Sequence, residues 1–388
     1  MWMLILCLFL RVHARDHHYY KPEWEDLDTR TLPKWYDVAK IGIFVHWGVY
    51  SVPAFRSEWF WYYWREEDIV YLVGKAVKTY DMEFGIYYSL MEWENKWYQI
   101  DRNNNYNTSI FVERVIKPDI KQLILDYKPS LWWSDGDWDA DPSYWKATNF
   151  LAWLYNESPV RHRIVVNDRW GSGSYCHHGD FYNCDDRFNP KTLQHHKFEN
   201  ALSLDVQSWG YRRNMVPLDT ISISQLLGTI ASTVSCGGNV LINVGPTKEG
   251  VIPPIFRERL LQMGEWLEVN GEAIYDTSPW YHQNDSLNPH VWYTCKKETY
   301  DPLRVSDVPR ANDSILSIYA IFLLWPVDDT LSVKDLTNYM KNNNYHIQLL
   351  GPEKYTTLDY NITSDVVMVK LPDGANMTSK SAYVLKIS

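Results

Sequence analysis

The sequence predicts a (β/α) barrel followed by a C-terminal antiparallel β-sandwich, on three observations. Short apolar strands ending in polar residues alternate with helical patterns from residue 31 to 278. From residue 279 to 388 the texture changes to strand-like runs with polar turns and little helical period. At 388 residues and 45% hydrophobic content, the chain is long enough to bury two cores.

Taken in order, residues 1–14 (MWMLILCLFLRVHA) hold one short apolar run closed by Val12, His13 and Ala14, the pattern of a secretory signal peptide. That run is too short for a membrane span, and no other stretch is long and apolar enough to be one. Residues 15–30 form a polar, aromatic-rich leader. Barrel strands are expected at 41–47 (IGIFVHW), 84–90 (FGIYYSL), 131–133 (LWW), 164–167 (IVVN) and 240–244 (VLINV). Helical periodicity covers 118–127, 141–155, 223–234 and 254–269, the second opening with Asp141-Pro142 as cap and first turn. The Asn-rich patches 101–107 and 342–344 read as loops. In the tail, 317–325, 346–350, 366–371 and 382–387 read as strands.

A net charge of −10 with no basic run argues against a nucleic-acid or anionic-membrane partner. With 20 Trp and 28 Tyr, a neutral sugar-like ligand fits better, because sugars stack their C–H faces on aromatic rings. Sequons at Asn107, Asn156, Asn284, Asn312, Asn361 and Asn376 agree with a secretory route. Beyond the leader the cysteines are Cys176, Cys184, Cys236 and Cys295, too few for a disulfide framework. Cys176 and Cys184 bracket one loop, CHHGDFYNC, whose spacing suits a disulfide or free thiols better than zinc, so no metal is expected.

The stretch LWWSDGDWDADPSYW raises the question of which of its acids does chemistry. Side chains alternate along a strand, so Leu131, Trp133 and Asp135 share one face, and Asp135 carries that face into the barrel mouth before Gly136 turns the chain. Asp137, Asp139 and Asp141 read as loop-solvating or capping acids. By the same parity Phe44 and His46 project together from a strand's carboxyl end, and Glu58 lies among tryptophans, including Trp59, as an acid gripping hydroxyls beside an apolar ring would. Glycoside cleavage needs a second carboxylate. The candidates are Asp186, next to Arg187 in CDDRF, and Glu199, next to Phe198.

Across residues 20–280, WYDVAKIGIFVHWGVYSVPAFRSEWFWYYW, LWWSDGDWDADPSYWKATNFLAWLYNESPV, VVNDRWG, CHHGDFYNCDDRF, SWGYRR and GGNVLINVGPTKEG together resemble the α-L-fucosidases of glycoside hydrolase family 29, animal lysosomal type. The resemblance implies a (β/α) barrel with a C-terminal β-sandwich, and a retaining mechanism without metal or cofactor. It also implies fucosylated glycans of glycoproteins and glycolipids as substrates, a lysosomal or extracellular site, and a homo-oligomer as one form of assembly. By position, Asp135 matches the nucleophile of the WSDG motif, and Trp133 a pocket tryptophan. Phe44 and His46 match F-[IV]-H-W-G, Glu58 and Trp59 a fucose-contacting pair, and Tyr87 a barrel-strand tyrosine. For the acid/base, the aspartate of C-x-D-[KR]-F falls on Asp186, with Arg187 beside it as a substrate-binding cation. The glutamate of P-x-x-L-x-x-x-K-W-E-x-C falls on Glu199, here in PKTLQHHKFENA with Phe198 for Trp and Ala201 for Cys. The reading prefers Asp186 and keeps Glu199 as the alternative. One departure stands out: the family's strand between F-[IV]-H-W-G and F-G-[IL]-Y, ending in a fucose-contacting K-H-H pair, has no counterpart, as though a segment were cut near Val70. A strand missing there removes two sugar ligands and opens two sheet edges, so a truncated chain that binds fucose without turnover is the rival expectation.

Overall fold

The computed structural model describes residues 18–48, 51, 68–341, 345–351, 354–374 and 381–388. Glu58, Trp59, the leader's first residues and Asn376 lie outside the described residues, as does the 342–344 patch. Among the described residues six parallel strands belong to the barrel: β1 (Ile41–Val45), β2 (Gly85–Ser89), β3 (Leu131–Asp135), β4 (Val165–Val166), β5 (Glu199–Ser203) and β6 (Asn239–Val244). They fall into two ladders, β2-β3-β4 and β5-β6-β1. The seam between β4 and β5 is closed by residues 180–182: the amides of Asp180 and Phe181 donate to the Val166 carbonyl, while Tyr182 exchanges bonds with Lys197 and Glu199. Between β1 and β2 no ladder runs among the described residues, and Ile43 and Val45 of β1 are 45% and 49% exposed. The residues that connect β1 to α3 at that flank, 49, 50 and 52–67, lie outside the described residues.

Helices α1 (Trp24–Leu27) and α2 (Lys34–Ala39) precede the barrel, and α3 (Ile69–Thr79), α4 (Lys96–Asn103), α5 (Lys117–Tyr127), α6 (Pro142–Trp145), α7 (Ala147–Asn156), α8 (Ile223–Ser235) and α9 (Pro254–Asn270) follow its strands. The expected single helix over 141–155 is two, because Lys146 takes a left-handed conformation (φ 57°) between them. Helix α4, capped by the Asn95 side chain, runs into the patch read as a loop; its Asp101 is buried and accepts bonds from Thr108, Phe111 and Tyr144. Helix α3, capped by Asp68, has no counterpart in the sequence-based assignment. It leaves Ile69 to Val73 exposed.

The barrel interior is packed by Leu32, Tyr36, Trp133, Val165, Phe181, Ala201 and Leu241. Outside the strands, Trp132 and its neighbours pack against α5 and α7, and β6 packs against α8. All six residues of β6 are buried, as expected for a parallel strand covered on both faces. The C-terminal unit is a sandwich of a six-stranded and a three-stranded antiparallel sheet. It is seated on the barrel through Trp266, whose indole donates to the Ala382 carbonyl at 2.9 Å, and Thr294, which donates to that of Ala273 at 2.7 Å. Among the described residues no helix is long and apolar enough to cross a membrane.

Candidate active site

Asp135 is the last residue of β3 and its side chain is 18% exposed at the strand's carboxyl end. Gly136 follows at φ +66°; a Cβ there would lie 2.6 Å from the Ser89 hydroxyl, so the turn demands glycine. The Asp135 carboxylate accepts from the Tyr87 hydroxyl at 2.8 Å on one oxygen and from Arg169 Nη1 at 2.8 Å on the other. The other terminal nitrogen, Nη2, donates to Asp186 at 2.7 Å, so one guanidinium spans both acids. Arg169 is itself buried, its guanidinium carbon 4.6 Å from the centre of the Trp133 ring. Burial alone would lower its pKa; Asp135 and Asp186 overcome that and raise it, so the group stays cationic.

An aromatic cup surrounds the acid. Phe44 packs at 4.4 Å from His46 and at 5.6 Å from both Tyr87 and Trp133, and Trp209 lies 5.5 Å from His46. His46 Nδ1 pairs with the Asn243 side-chain oxygen at 2.7 Å, and the Asn243 amide donates to the Trp209 carbonyl at 2.7 Å, which ties β1, β6 and the loop after β5 together. Aromatic faces beside fixed polar groups can seat a sugar by its apolar face while gripping its hydroxyls.

The remaining candidates separate. Asp186 sits at the mouth, 46% exposed, directly on Arg169. Glu199 opens β5, at the end of that strand away from the mouth, and is fully enclosed. It accepts from Tyr36 at 2.7 Å, from the Trp133 indole at 2.9 Å and from Asn183 at 3.2 Å, and burial raises its pKa. Arg187 directs its guanidinium to the Val206 carbonyl at 2.8 Å rather than to either acid. Asp137, read as a solvated loop acid, is buried and accepts from the Gly171 amide and the Tyr175 hydroxyl, locking the turn after β3 to the loop after β4. Asp141 caps α6 as expected. Cys176 and Cys184 are joined as a disulfide, with the buried Asp168 carboxylate accepting the amides of Cys176, Asn183 and Cys184. Arg169 is the site residue that the sequence reading missed. Its signal is its position just after the strand-like run IVVN, in VVNDRWG, where barrel loops carry function.

The chain has relatives among known proteins. The α-L-fucosidase family model matches residues 7–69 and 65–272, and the α-L-fucosidase C-terminal domain model matches residues 283–388. The chain is 34% identical to the tissue α-L-fucosidase of Homo sapiens, covering 100% of this chain and 96% of the relative, and 38% identical to the plasma α-L-fucosidase of Rattus norvegicus, covering 96% and 94%. In three dimensions it aligns with the Thermotoga maritima α-fucosidase in complex with fucose at a TM-score of 0.72 and 25% identity, over 95% of this chain and 100% of that one. The human alignment runs over 471 positions against the 388 residues here, so this chain lacks a counterpart for at least 83 of them. The two blocks of the family match meet at residues 65–69, next to the position where the sequence reading placed the missing segment. With matches across both domains and along its whole length, this chain belongs to the α-L-fucosidase family.

Proposed function

We propose that the protein is a retaining exo-α-L-fucosidase in which Asp135 is the nucleophile and Asp186 the acid/base. The observation that carries the reading is Arg169, whose two terminal nitrogens hold Asp135 and Asp186 at 2.8 and 2.7 Å. One guanidinium holding both carboxylates brings the two acids that a retaining mechanism needs to the same mouth. In this reading Asp186 protonates the leaving oxygen while Asp135 attacks C1. The C–O bond breaks, a fucosyl ester forms on Asp135, and Asp186 then takes a proton from the water that hydrolyses it. Arg169 orients both acids, and Phe44, His46, Tyr87, Trp133 and Trp209 cup the sugar. Glu58 and Trp59 join them by position in the sequence. Terminal α-L-fucose on glycoproteins and glycolipids is the substrate class.

Release of a chromophore from an aryl α-L-fucoside by the purified, folded chain tests the reading. Turnover is expected, and a folded chain with none overturns it. The acid/base assignment has its own signature. Asp186→Ala should lose about 10²- to 10⁴-fold in kcat/KM on a fucosyl disaccharide, yet far less on a dinitrophenyl fucoside, whose leaving group needs no proton. If Glu199→Gln shows that split and Asp186→Ala does not, the assignment is reversed.

A secretory route to the lysosome or the extracellular space is the finer part of the proposal, and the sequons make it testable. Asn107, Asn312 and Asn361 are exposed. Asn156 exchanges two bonds with the Tyr20 backbone at 2.7 and 2.9 Å, and Asn284 spends its amide on the carbonyls of Pro289 and Val291 at 3.0 and 2.8 Å. A glycan on Asn284 would replace one of those donated hydrogens. Glycopeptide mapping of the chain secreted from eukaryotic cells should find glycans at Asn107, Asn312 and Asn361 and bare Asn156 and Asn284; occupancy at the latter two with none at the former would contradict the prediction.

A further inference from the structure

Asp186 is 46% exposed, and among the described residues its carboxylate is bonded only to Arg169. One ion pair at an open mouth fixes an acid only where the backbone beneath it is fixed as well. On the carboxyl side that anchor is the Arg187 amide, which donates to the Ala201 carbonyl of β5 at 2.8 Å. On the amino side it is Cys184, whose backbone is left-handed at φ 54°. Cys176, its disulfide partner, is left-handed as well, at φ 59°. A residue that carries a Cβ keeps that conformation only where its surroundings enforce it.

The Asp168 carboxylate enforces it at both. It is fully buried; one oxygen accepts the amides of Cys176 at 2.8 Å and Cys184 at 3.1 Å, and the other accepts that of Asn183 at 3.0 Å. A single acid thus ties both ends of the CHHGDFYNC loop to the root of the loop after β4, at the same two residues that the disulfide joins. Arg169, next in the chain, has anchors on either side that do not involve this carboxylate. The Asn167 side chain exchanges bonds with Ser134 of β3, and the Trp170 amide donates to the Ser174 hydroxyl at 3.0 Å. Loss of the Asp168 carboxylate would therefore leave the grip of Arg169 on Asp135 in place and loosen the backbone under Asp186. We propose that Asp168 is a positioning residue for the acid/base, acting with the Cys176–Cys184 disulfide to hold the backbone from which Asp186 meets the leaving oxygen. The inference rests on the assignment of Asp186 as that acid/base.

Asp168→Asn keeps the shape of the side chain and tests the proposal. The new amide group sets its own hydrogens against a backbone N–H, so at least one of the three bonds is lost. On a fucosyl disaccharide, kcat/KM should fall by about 10²-fold, the loss that a displacement of about 1 Å can cause. On a dinitrophenyl fucoside, whose leaving group needs no proton, the loss should be far smaller. In an Asp186→Ala background the same substitution should remove nothing further on the disaccharide, because the group it positions is gone. A residue that only stabilises the fold would slow both substrates alike, and its loss would multiply with that of Asp186→Ala; either result overturns the proposal. If Asp168→Asn does not fold, Cys176→Ser combined with Cys184→Ser keeps the carboxylate and cuts the link between the same two residues. The same split between leaving groups is then expected, and wild-type activity on the disaccharide overturns the proposal. Asp186→Ala without that split refutes instead the acid/base assignment, and the inference falls with it.

Discussion

Asp135→Gly should abolish fucoside hydrolysis, with a loss of about 10⁴-fold or more in kcat, while leaving the melting temperature close to that of wild type. The side chain is 18% exposed at a strand end and packs into no core, so its removal opens no sealed cavity. Arg169 keeps Asp186 as its counter-ion, and Tyr87 keeps access to water at the mouth. The space left by the carboxylate lies on the face from which C1 is attacked, and a small anion can enter it. Azide added to Asp135→Gly with an activated aryl α-L-fucoside should therefore restore chromophore release: the C1–N bond forms as the C1–O bond breaks, aryloxide departs, and the product is the β-fucosyl azide. Retention of activity within about a hundredfold of wild type would remove Asp135 from the nucleophile's place. Rescue that gives α-azide, or azide rescue of Asp186→Ala to a β-azide in its stead, would exchange the two roles.

How much of this site could be read from the chain depends on the kind of information each residue carries. Asp135, Trp133, Phe44, His46 and Tyr87 lie on strands whose period-two alternation says which side chains face inward and which residue stands at the carboxyl end. The structure places those five around one space. Strand β5 was not legible because its sequence, ENALS, is polar. All five residues are nonetheless buried, with Glu199 accepting from Tyr36, Trp133 and Asn183, Asn200 donating to Thr233, and Ser203 donating to the Ser208 carbonyl. Hydrophobic patterning cannot see a buried strand whose polar side chains are bonded to partners outside it. Arg169 escaped for a related reason: its bridge joins residues 34 positions before and 17 positions after it, a closure made by loops and not by any local period. Asp137 looked solvated because short-range reasoning saw a loop acid, when the loop after β4 folds over it. Helix α3 went unread although its first residues, Ile69 to Val73, are apolar, because they stand exposed and mark no buried stripe.

The largest stability effect should come from the far end of the barrel, where nothing is catalytic. Asp37 of α2 accepts from Lys40 at 2.9 Å and from Lys197 at 2.7 Å, and all three side chains are buried. Burial alone would raise the Asp37 carboxyl; the two ammonium groups overcome it and hold the group at about 2. Burial pushes Lys197 down to about 7, against the attraction of Asp37. Asp37→Asn removes the one anion between two enclosed cations and should cost about 3–5 kcal/mol, the range found when a buried pair loses one partner. Lys197→Met leaves a balanced Asp37–Lys40 pair in an apolar setting and should cost far less, or stabilise. The pH dependence follows from the signs. Asp37 titrates lower in the folded chain than in the unfolded one, so its contribution is full above about pH 4 and fades as pH falls towards 2. Lys197 is also depressed on folding, but it is a cation: between about 7 and 10.5 the unfolded chain binds the extra proton, so its burial penalty is full below 7 and lifts as pH rises. Urea unfolding of wild type should thus show a term that gains stability from pH 7 to 9, and Lys197→Met should flatten it. An Asp37→Asn chain that unfolds within about 1 kcal/mol of wild type at pH 5, below the point where Lys197 gives up its proton, would mean that the cluster reaches water and is not the enclosed triad its geometry describes.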